Sequence, residues 1–274
     1  MQTIVITGAS DGIGAAAARQ LTARGHKVVL VGRSRAKTEA LARALDAPFH
    51  VADYARLSEV KRLAGELTAY ERIDVLANNA GGIMGPRTVT EDGFEKTIQV
   101  NHLAGFLLTR LLMDKLMATG AKVIQTSSFA ANVWGRGFDV DDLDQRRSYS
   151  PTSAYGRSKL ANILFTRELD RRHRAGGIAA VAFHPGFVRS NFAEDTTFFM
   201  RWFYHTPLRY LATISPDTSA HRLVRLAEGE PGRDWQPGEV YLKRAQMPVA
   251  FRDDGSVARA LWERSEEMMR PFLE

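Results

Sequence analysis

Short runs rich in β-branched residues alternate with longer amphipathic stretches along the whole chain, and that rhythm leaves few folds open. Strand-like runs fall at 3–7, 27–31, 49–52, 73–78, 122–127, 179–184 and 239–242. Helical patterning falls near 13–24, 36–45, 56–69, 91–118, 152–174, 216–228 and 256–268. Such alternation marks βαβ units around a parallel sheet. Runs such as "VVLV" and "VIQT" are apolar without a clean period of two, as in strands covered on both faces. Right-handed crossovers then give an α/β fold with a doubly wound parallel sheet, a single domain over residues 1–274 with no dividing linker. Two segments break the rhythm. Residues 129–151 form a loop rich in Gly, Asp and Arg that ends in Pro151, and residues 189–214 carry "FFMRWFY" at 198–204.

A chain of 274 residues is long enough to bury such a core. It has no cysteine, which excludes disulfides, thiolate chemistry and cysteine metal sites and is compatible with a reducing cytoplasm. The first strand-like run opens at Thr3, leaving no room for a signal peptide, and no apolar run approaches the ~20 residues of a membrane-spanning helix. The expected location is therefore cytoplasmic. Net charge is +6, with basic residues in "DQRRSYS" (144–150) and "DRRHRAGG" (170–177). These read as a solvated basic surface; the alternative is attraction of an anionic ligand, which a phosphate-bearing cofactor satisfies without nucleic acid.

The segment "TIVITGASDGIGAAAARQL" passes from strand to Ala-rich helix through a turn holding Gly8, Gly12 and Gly14. Glycines there allow a tight turn and let backbone N–H groups approach a pyrophosphate at the helix N-terminus. The spacing is G-x-x-x-G-x-G rather than the commoner G-x-G-x-x-G. The end of the second strand bears on which dinucleotide is bound. An acid there suits the ribose 2′-hydroxyl of NAD(H), whereas a base suits the 2′-phosphate of NADP(H). The chain reads "VVLVGRSRAK", with Gly32 where an acid would sit, followed by Arg33 and Ser34. Arg33 offers a planar fork for a phosphate and Ser34 a hydroxyl donor, so NADP(H) is expected over NAD(H). Asp53, after the third strand, suits either the adenine amine or the cap of a helix beginning near Tyr54 or Ala55.

Tyr155 and Lys159 stand one helical turn apart in "SAYGRSKLAN", so phenol and ammonium project from one face. A neighbouring ammonium favours the phenolate, as a proton donor working near neutrality requires. Spacing alone also describes a common solvated surface pair.

With these residues in place, the chain resembles the short-chain dehydrogenase/reductase family, a Rossmann-type fold, over essentially its whole length. The landmarks run in order: "TGASDGIG" (7–14), Asp53, "NNAG" (78–81), "VNH" (100–102), "TSS" (126–128), Tyr155 with Lys159, and "PGFV" (185–188). Within the family, "VNHLAGFLLT" (100–109), "SKLANILF" (158–165) and "ALWERSEEM" (260–268) look like the retinol-dehydrogenase-like or WW-domain-oxidoreductase-like branch. Eukaryotic members of that branch often carry an N-terminal membrane segment, which this sequence lacks.

The resemblance implies a catalytic tetrad of Asn101, Ser128, Tyr155 and Lys159. It gives Tyr155 the role of proton donor, Lys159 a bond to the nicotinamide ribose, Ser128 (not Ser127) the carbonyl oxygen, and Asn101 a local opening of its helix through which a water links Lys159 to solvent as a proton relay. It implies cofactor contacts from Gly8, Ser10, Gly12, Ile13 and Gly14, from Arg33 and Ser34, and from Asp53 and Tyr54. Asn79, Ala80 and Gly81 would lie along the adenosine, and Pro185, Gly186, Val188 and Ser190 around the nicotinamide. His184 reads as a structural strand-end residue, since Tyr155 already fills the acid–base role, and no metal is expected.

The loop before Tyr155 is longer than in compact members of the family and precedes the helix that many relatives use to dimerise, so monomer and dimer both stay open. Residues 189–214 occupy the place of the family's substrate lid. Their aromatics fit a helical lid over a bulky apolar or aromatic ketone or aldehyde, a helix packed on the core, or a surface patch for a membrane or partner. The leading expectation is an NADPH-dependent oxidoreductase acting on a small-molecule carbonyl or alcohol. The alternatives are a tailoring enzyme such as an epimerase or reductive cyclase, and a non-catalytic NADP(H) sensor.

Overall fold

The structure is a computed structural model that describes residues 1–186 and 214–274. Its centre is a sheet of eight strands: β1 (Thr3–Thr7), β2 (Lys27–Gly32), β3 (Phe49–Val51), β4 (Val75–Asn78), β5 (Lys122–Thr126), β6 (Ala179–His184), β7 (Val240–Leu242) and β8 (Ala245–Gln246). The order is β3-β2-β1-β4-β5-β6-β7-β8. The pairings from β3 through β7 are parallel, and β8 folds back antiparallel on β7. The small β8 escapes sequence reading because two residues carry no periodicity.

Helices cover both faces. Among the described residues they are α1 (Gly12–Ala23), α2 (Arg35–Leu45), α3 (Leu57–Thr68), α4 (Lys96–Ile98), α5 (Ala104–Leu111), α6 (Met113–Thr119), α7 (Ala130–Trp134), α8 (Pro151–His173), α9 (Pro216–Glu228) and α10 (Ser256–Leu273). Successive strand residues feed opposite cores. Ile4, Ile6, Val28, Leu30, Val181 and Phe183 join the cluster under α1, α2 and α9. Val5, Val29, Val31, Ala180 and Ala182 join the one under α3, α5, α8 and α10. Both neighbours of every central position are therefore buried, which is why these strands read as unbroken apolar runs. Trp262 of α10 packs against Phe106 of α5 and stacks on Phe165 of α8, covering the outer face of α8.

Three expectations need correction. The helix read at 91–118 starts only at Lys96, because Glu95 pairs across a short turn with Val89 and its carboxylate then accepts from Thr97 N and Ile98 N. That helix also breaks at Leu112, and it opens into a π-helical turn at Gln99–Leu103 around Asn101, where the resemblance implies a local opening. Asp53 does not cap a helix beginning at Tyr54 or Ala55. It turns the chain by accepting from Ala55 N at 3.0 Å, while α3 begins at Leu57, whose N–H donates to Asp92 of a distant turn at 2.9 Å. The 129–151 loop is not wholly irregular, since it holds α7 and a 3₁₀ turn at Val140–Asp142.

The two basic runs are largely paired. Arg171 and Arg172 both bind the buried Glu168, Arg174 binds Asp170, and Arg146 and Arg147 bind Asp144 and Asp139.

Candidate active site

The strand order reverses between β1 and β4, and in such sheets ligands bind beyond the carboxyl ends of the strands at that switch. The chain spends buried hydrogen bonds there to hold three strand ends in register. The Thr7 hydroxyl donates to Ala77 O and accepts from Asn79 N and Ala80 N, each near 3 Å. Asn79 Nδ2 donates to Thr7 O at 3.0 Å, and Thr126 Oγ1 donates to Asn79 Oδ1 at 3.2 Å. Asn79 is thus a clamp between β1, β4 and β5, a role that its place in "NNAG" did not disclose.

Above this clamp the glycine turn forms a cradle. Gly8 and Gly12 have φ of +66° and +54°, and Asp11 caps α1 by accepting from Gly12 N at 2.7 Å. A Cβ on Gly8 would stand 2.8 Å from Ala80 Cα, and one on Gly14 only 2.4 Å from Gly8 O. No side chain fits at either, so the backbone and the α1 N-terminus stay open beside half-buried Ser10 and Ile13. Backbone N–H groups at a helix start with no side chain in front of them suit a pyrophosphate, and the residues present fit a dinucleotide.

At the end of β2, Arg33 is exposed and Ser34 caps α2, its Oγ accepting from Lys37 N at 3.4 Å. Capping uses an Oγ lone pair and leaves the hydroxyl hydrogen for an acceptor. Lys37 pairs with Asp11 at 2.9 Å, tying α2 to the glycine turn. Tyr54 turns its ring into the core, where burial pushes its phenol up, and its carbonyl accepts from Gln99 Nε2.

The tetrad residues converge on the same edge. Tyr155 and Lys159 lie in the second and third turns of α8, a helix started by Pro151 at N1 and by the Ser150 cap. Tyr155 is 6% and Lys159 2% exposed, with the ammonium 5.6 Å from the phenol ring centroid. Lys159 Nζ donates to Thr126 O at 3.0 Å, and burial pulls it down from the ordinary lysine value to about 8. Asn101 sits inside the π turn. Its Nδ2 donates to Gly82 O and Ser158 Oγ, and its Oδ1 accepts from Gly82 N, each at 2.9 Å. Gly81, at φ +155°, lies between them: a Cβ there would stand 2.8 Å from Asn101 Oδ1 and 3.2 Å from Lys159 Nζ.

The neighbouring serines separate cleanly. Ser127 is fully buried and donates to Lys159 O at 2.8 Å, a tie between β5 and α8. Ser128 is partly exposed and accepts from Ala130 N at 3.1 Å, starting α7. Ala130 and Ile83 pack on Tyr155, so α7 fixes Ser128 relative to the phenol. Gly156 permits this closure, because a Cβ there would stand 2.6 Å from the Trp134 backbone.

His184 Nδ1 accepts from Phe129 N at 3.3 Å, and the ring is held down to about 4 by burial and then by Arg222. Pro185 O accepts from Ser219 Oγ at 2.7 Å, and Gly186 has φ +92°. Val188, Ser190 and the aromatic 198–204 segment lie outside the described residues. Sequence reading missed Arg222, which donates to His184 O at 2.9 Å and whose guanidinium nitrogens flank Gly186. It lies in an ordinary amphipathic helix, with no motif to announce it.

The short chain dehydrogenase family model matches residues 2–140. Retinol dehydrogenase 13 of Homo sapiens is 37% identical over 280 residues, covering 98% of this chain and 84% of that protein. The "Putative daunorubicin C-13 ketoreductase DnrU" of Streptomyces sp. (strain C5) is 43% identical over 273 residues, covering 96% and 91%. Among solved structures, an uncharacterized protein from Mycobacterium paratuberculosis superposes with a TM-score of 0.75 at 35% identity, covering 98% of this chain and 94% of the other. With fold, strand order and ordered motifs agreeing, the chain belongs to the short-chain dehydrogenase/reductase family of oxidoreductases, in its retinol-dehydrogenase-like branch.

Proposed function

We propose that this chain is an NADP(H)-dependent carbonyl reductase or alcohol dehydrogenase, acting in the cytoplasm on a bulky apolar or aromatic ketone or aldehyde. The observation that carries the chemistry is the buried ammonium of Lys159 beside the Tyr155 phenol at the strand switch. When bound, the nicotinamide supplies or accepts the hydride at the carbonyl carbon. Tyr155 delivers the proton to the carbonyl oxygen in reduction and takes it back in oxidation. Lys159, largely protonated at pH 7, stabilises the phenolate left behind. Ser128 donates to the same carbonyl oxygen as charge grows on it. Asn101, braced by Gly82 and Ser158, faces Lys159 across Gly81 and completes the path by which Tyr155 regains its proton.

Preference for NADP(H) rests on Arg33 and Ser34 standing at the α2 N-terminus with a glycine, not an acid, at the end of β2. With NADPH and NADH compared by fluorescence titration, NADPH is expected to bind more tightly by about tenfold or more, and Arg33→Ala to remove most of that margin. Equal affinities in the unmutated protein overturn this preference.

The substrate class rests on three exposed apolar side chains, Phe129, Val133 and Trp134, in and beside α7 next to Ser128. The names of the two relatives, for retinol and for a C-13 ketone of daunorubicin, point the same way. Following NADPH absorbance across a carbonyl panel, polycyclic and long-chain ketones or aldehydes are expected to outcompete small polar ones in kcat/KM. The reverse order rejects the substrate class, and no turnover across the panel rejects the activity.

A further inference from the structure

We propose that Thr38 helps to decide which dinucleotide this chain accepts, by filling the volume into which a ribose-binding acid at position 32 would project. The proposal rests on the NADP(H) reading above and names a residue that acts through packing, without touching the cofactor.

Gly32 ends β2, is buried, and pairs with Val51 of β3. Its φ lies outside the left-handed region, so the backbone does not demand glycine there. Space does. A Cβ on Gly32 would stand 2.2 Å from Thr38 Oγ1, 2.9 Å from Ser10 Cβ and 3.3 Å from Ser10 N. The first of these is far inside any real contact, and it is the one a rotation of Thr38 would have to relieve.

Thr38 is not free to rotate. It is fully buried in the first turn of α2, and its Oγ1 donates to Ser34 O at 2.6 Å. Its N–H donates to the same carbonyl at 2.9 Å. Turning the side chain away would strand a buried hydroxyl and leave the restricted χ1 range of a β-branched residue in a helix. The hydroxyl therefore blocks position 32 while it braces Ser34, the α2 cap. With no carboxylate admitted, nothing at the strand end repels a 2′-phosphate, and Arg33 meets it uncontested.

The test uses the full chain in two arms. Melting temperatures are compared for the unmutated protein, Gly32→Ala, Thr38→Ala and the double variant. Gly32→Ala is expected to lower the Tm by about 5 °C from overpacking, and to cost clearly less once Thr38 is alanine, the remainder being the 2.9 Å approach to Ser10 Cβ. Affinities for NADH and NADPH are then titrated for Gly32→Asp with and without Thr38→Ala. The double variant is expected to move the NADH-to-NADPH preference toward NADH by about tenfold relative to Gly32→Asp alone.

Additive losses in Tm overturn the packing claim. So does a Gly32→Asp protein that melts normally and favours NADH as much as the double variant. A Gly32→Asp/Thr38→Ala protein that folds yet keeps the NADPH preference overturns the selectivity claim. An unmutated protein that binds NADH more tightly overturns the NADP(H) reading instead, and the Tm cycle still decides whether Thr38 closes position 32.

Discussion

Tyr155→Phe is expected to lower kcat by about 10³ while changing dinucleotide affinity by no more than about twofold. The substitution removes one O–H and keeps the ring that packs on Ile83 and Ala130, so the wall of the site should stand. Dinucleotide binding should be nearly unaffected because the cradle is built elsewhere, from Gly8, Gly12, Gly14 and the α1 N-terminus. Lys159 should also stay in place, since its ammonium is pinned by Thr126 O and its own carbonyl by Ser127 Oγ. Single-turnover reduction followed beside a fluorescence titration separates the two effects. Turnover retained by the phenylalanine variant would remove Tyr155 as the acid. Loss of turnover together with loss of binding would point to a collapsed site, and a melting curve would reveal it.

Much of this arrangement is legible in the residues, and the misses share a cause. Strand positions such as Thr3–Thr7 and Ala179–His184 agree with the reading because two covered faces leave an apolar run no ambiguity. Tyr155, Lys159 and the glycine turn are legible because each depends on neighbours within one turn of chain. The helix near 56–69 agrees with the reading, but the Asp53 cap does not, because the side chain that accepts from the first N–H of α3, Asp92, lies 35 residues further on. The bonds of Asn101, in the π-helical turn, to Gly82 and Ser158 are hidden for the same reason, since only the folded chain brings those partners near. Thr38 belongs to the same class: nothing in "SRAKTEAL" says that its hydroxyl fills the space behind Gly32. Local chemistry is written in the sequence, whereas a residue that acts by occupying volume is visible only once its neighbour is known.

Acid should unfold this protein earlier than its carboxylates alone would require, because two histidines are buried neutral. His102 sits between Phe106 and Phe165 with Nε2 3.0 Å from Ser265 Oγ, and burial holds it down to about 4. His184 is held to about 4 by burial and then by the Arg222 charge. Unfolded histidine titrates near 6.5. Above that value both states are neutral and the full stability is present. As pH falls from about 6.5 to about 4, the unfolded chain takes up two protons that the native state refuses, so stability is lost across that window. Each proton contributes a slope of about 1.4 kcal/mol per pH unit, and the pair can remove several kcal/mol, a large share of the roughly 5–15 kcal/mol typical of a folded protein. Urea unfolding at pH 7, 6 and 5 should show this loss. In His102→Gln/His184→Gln, where neither side chain can take a charge, the slope should flatten by up to about two protons' worth. An unchanged slope in that variant would assign the acid sensitivity to other groups, of which His173, held below the ordinary histidine value by burial and then by the Arg110 and Arg172 charges, is the first to examine.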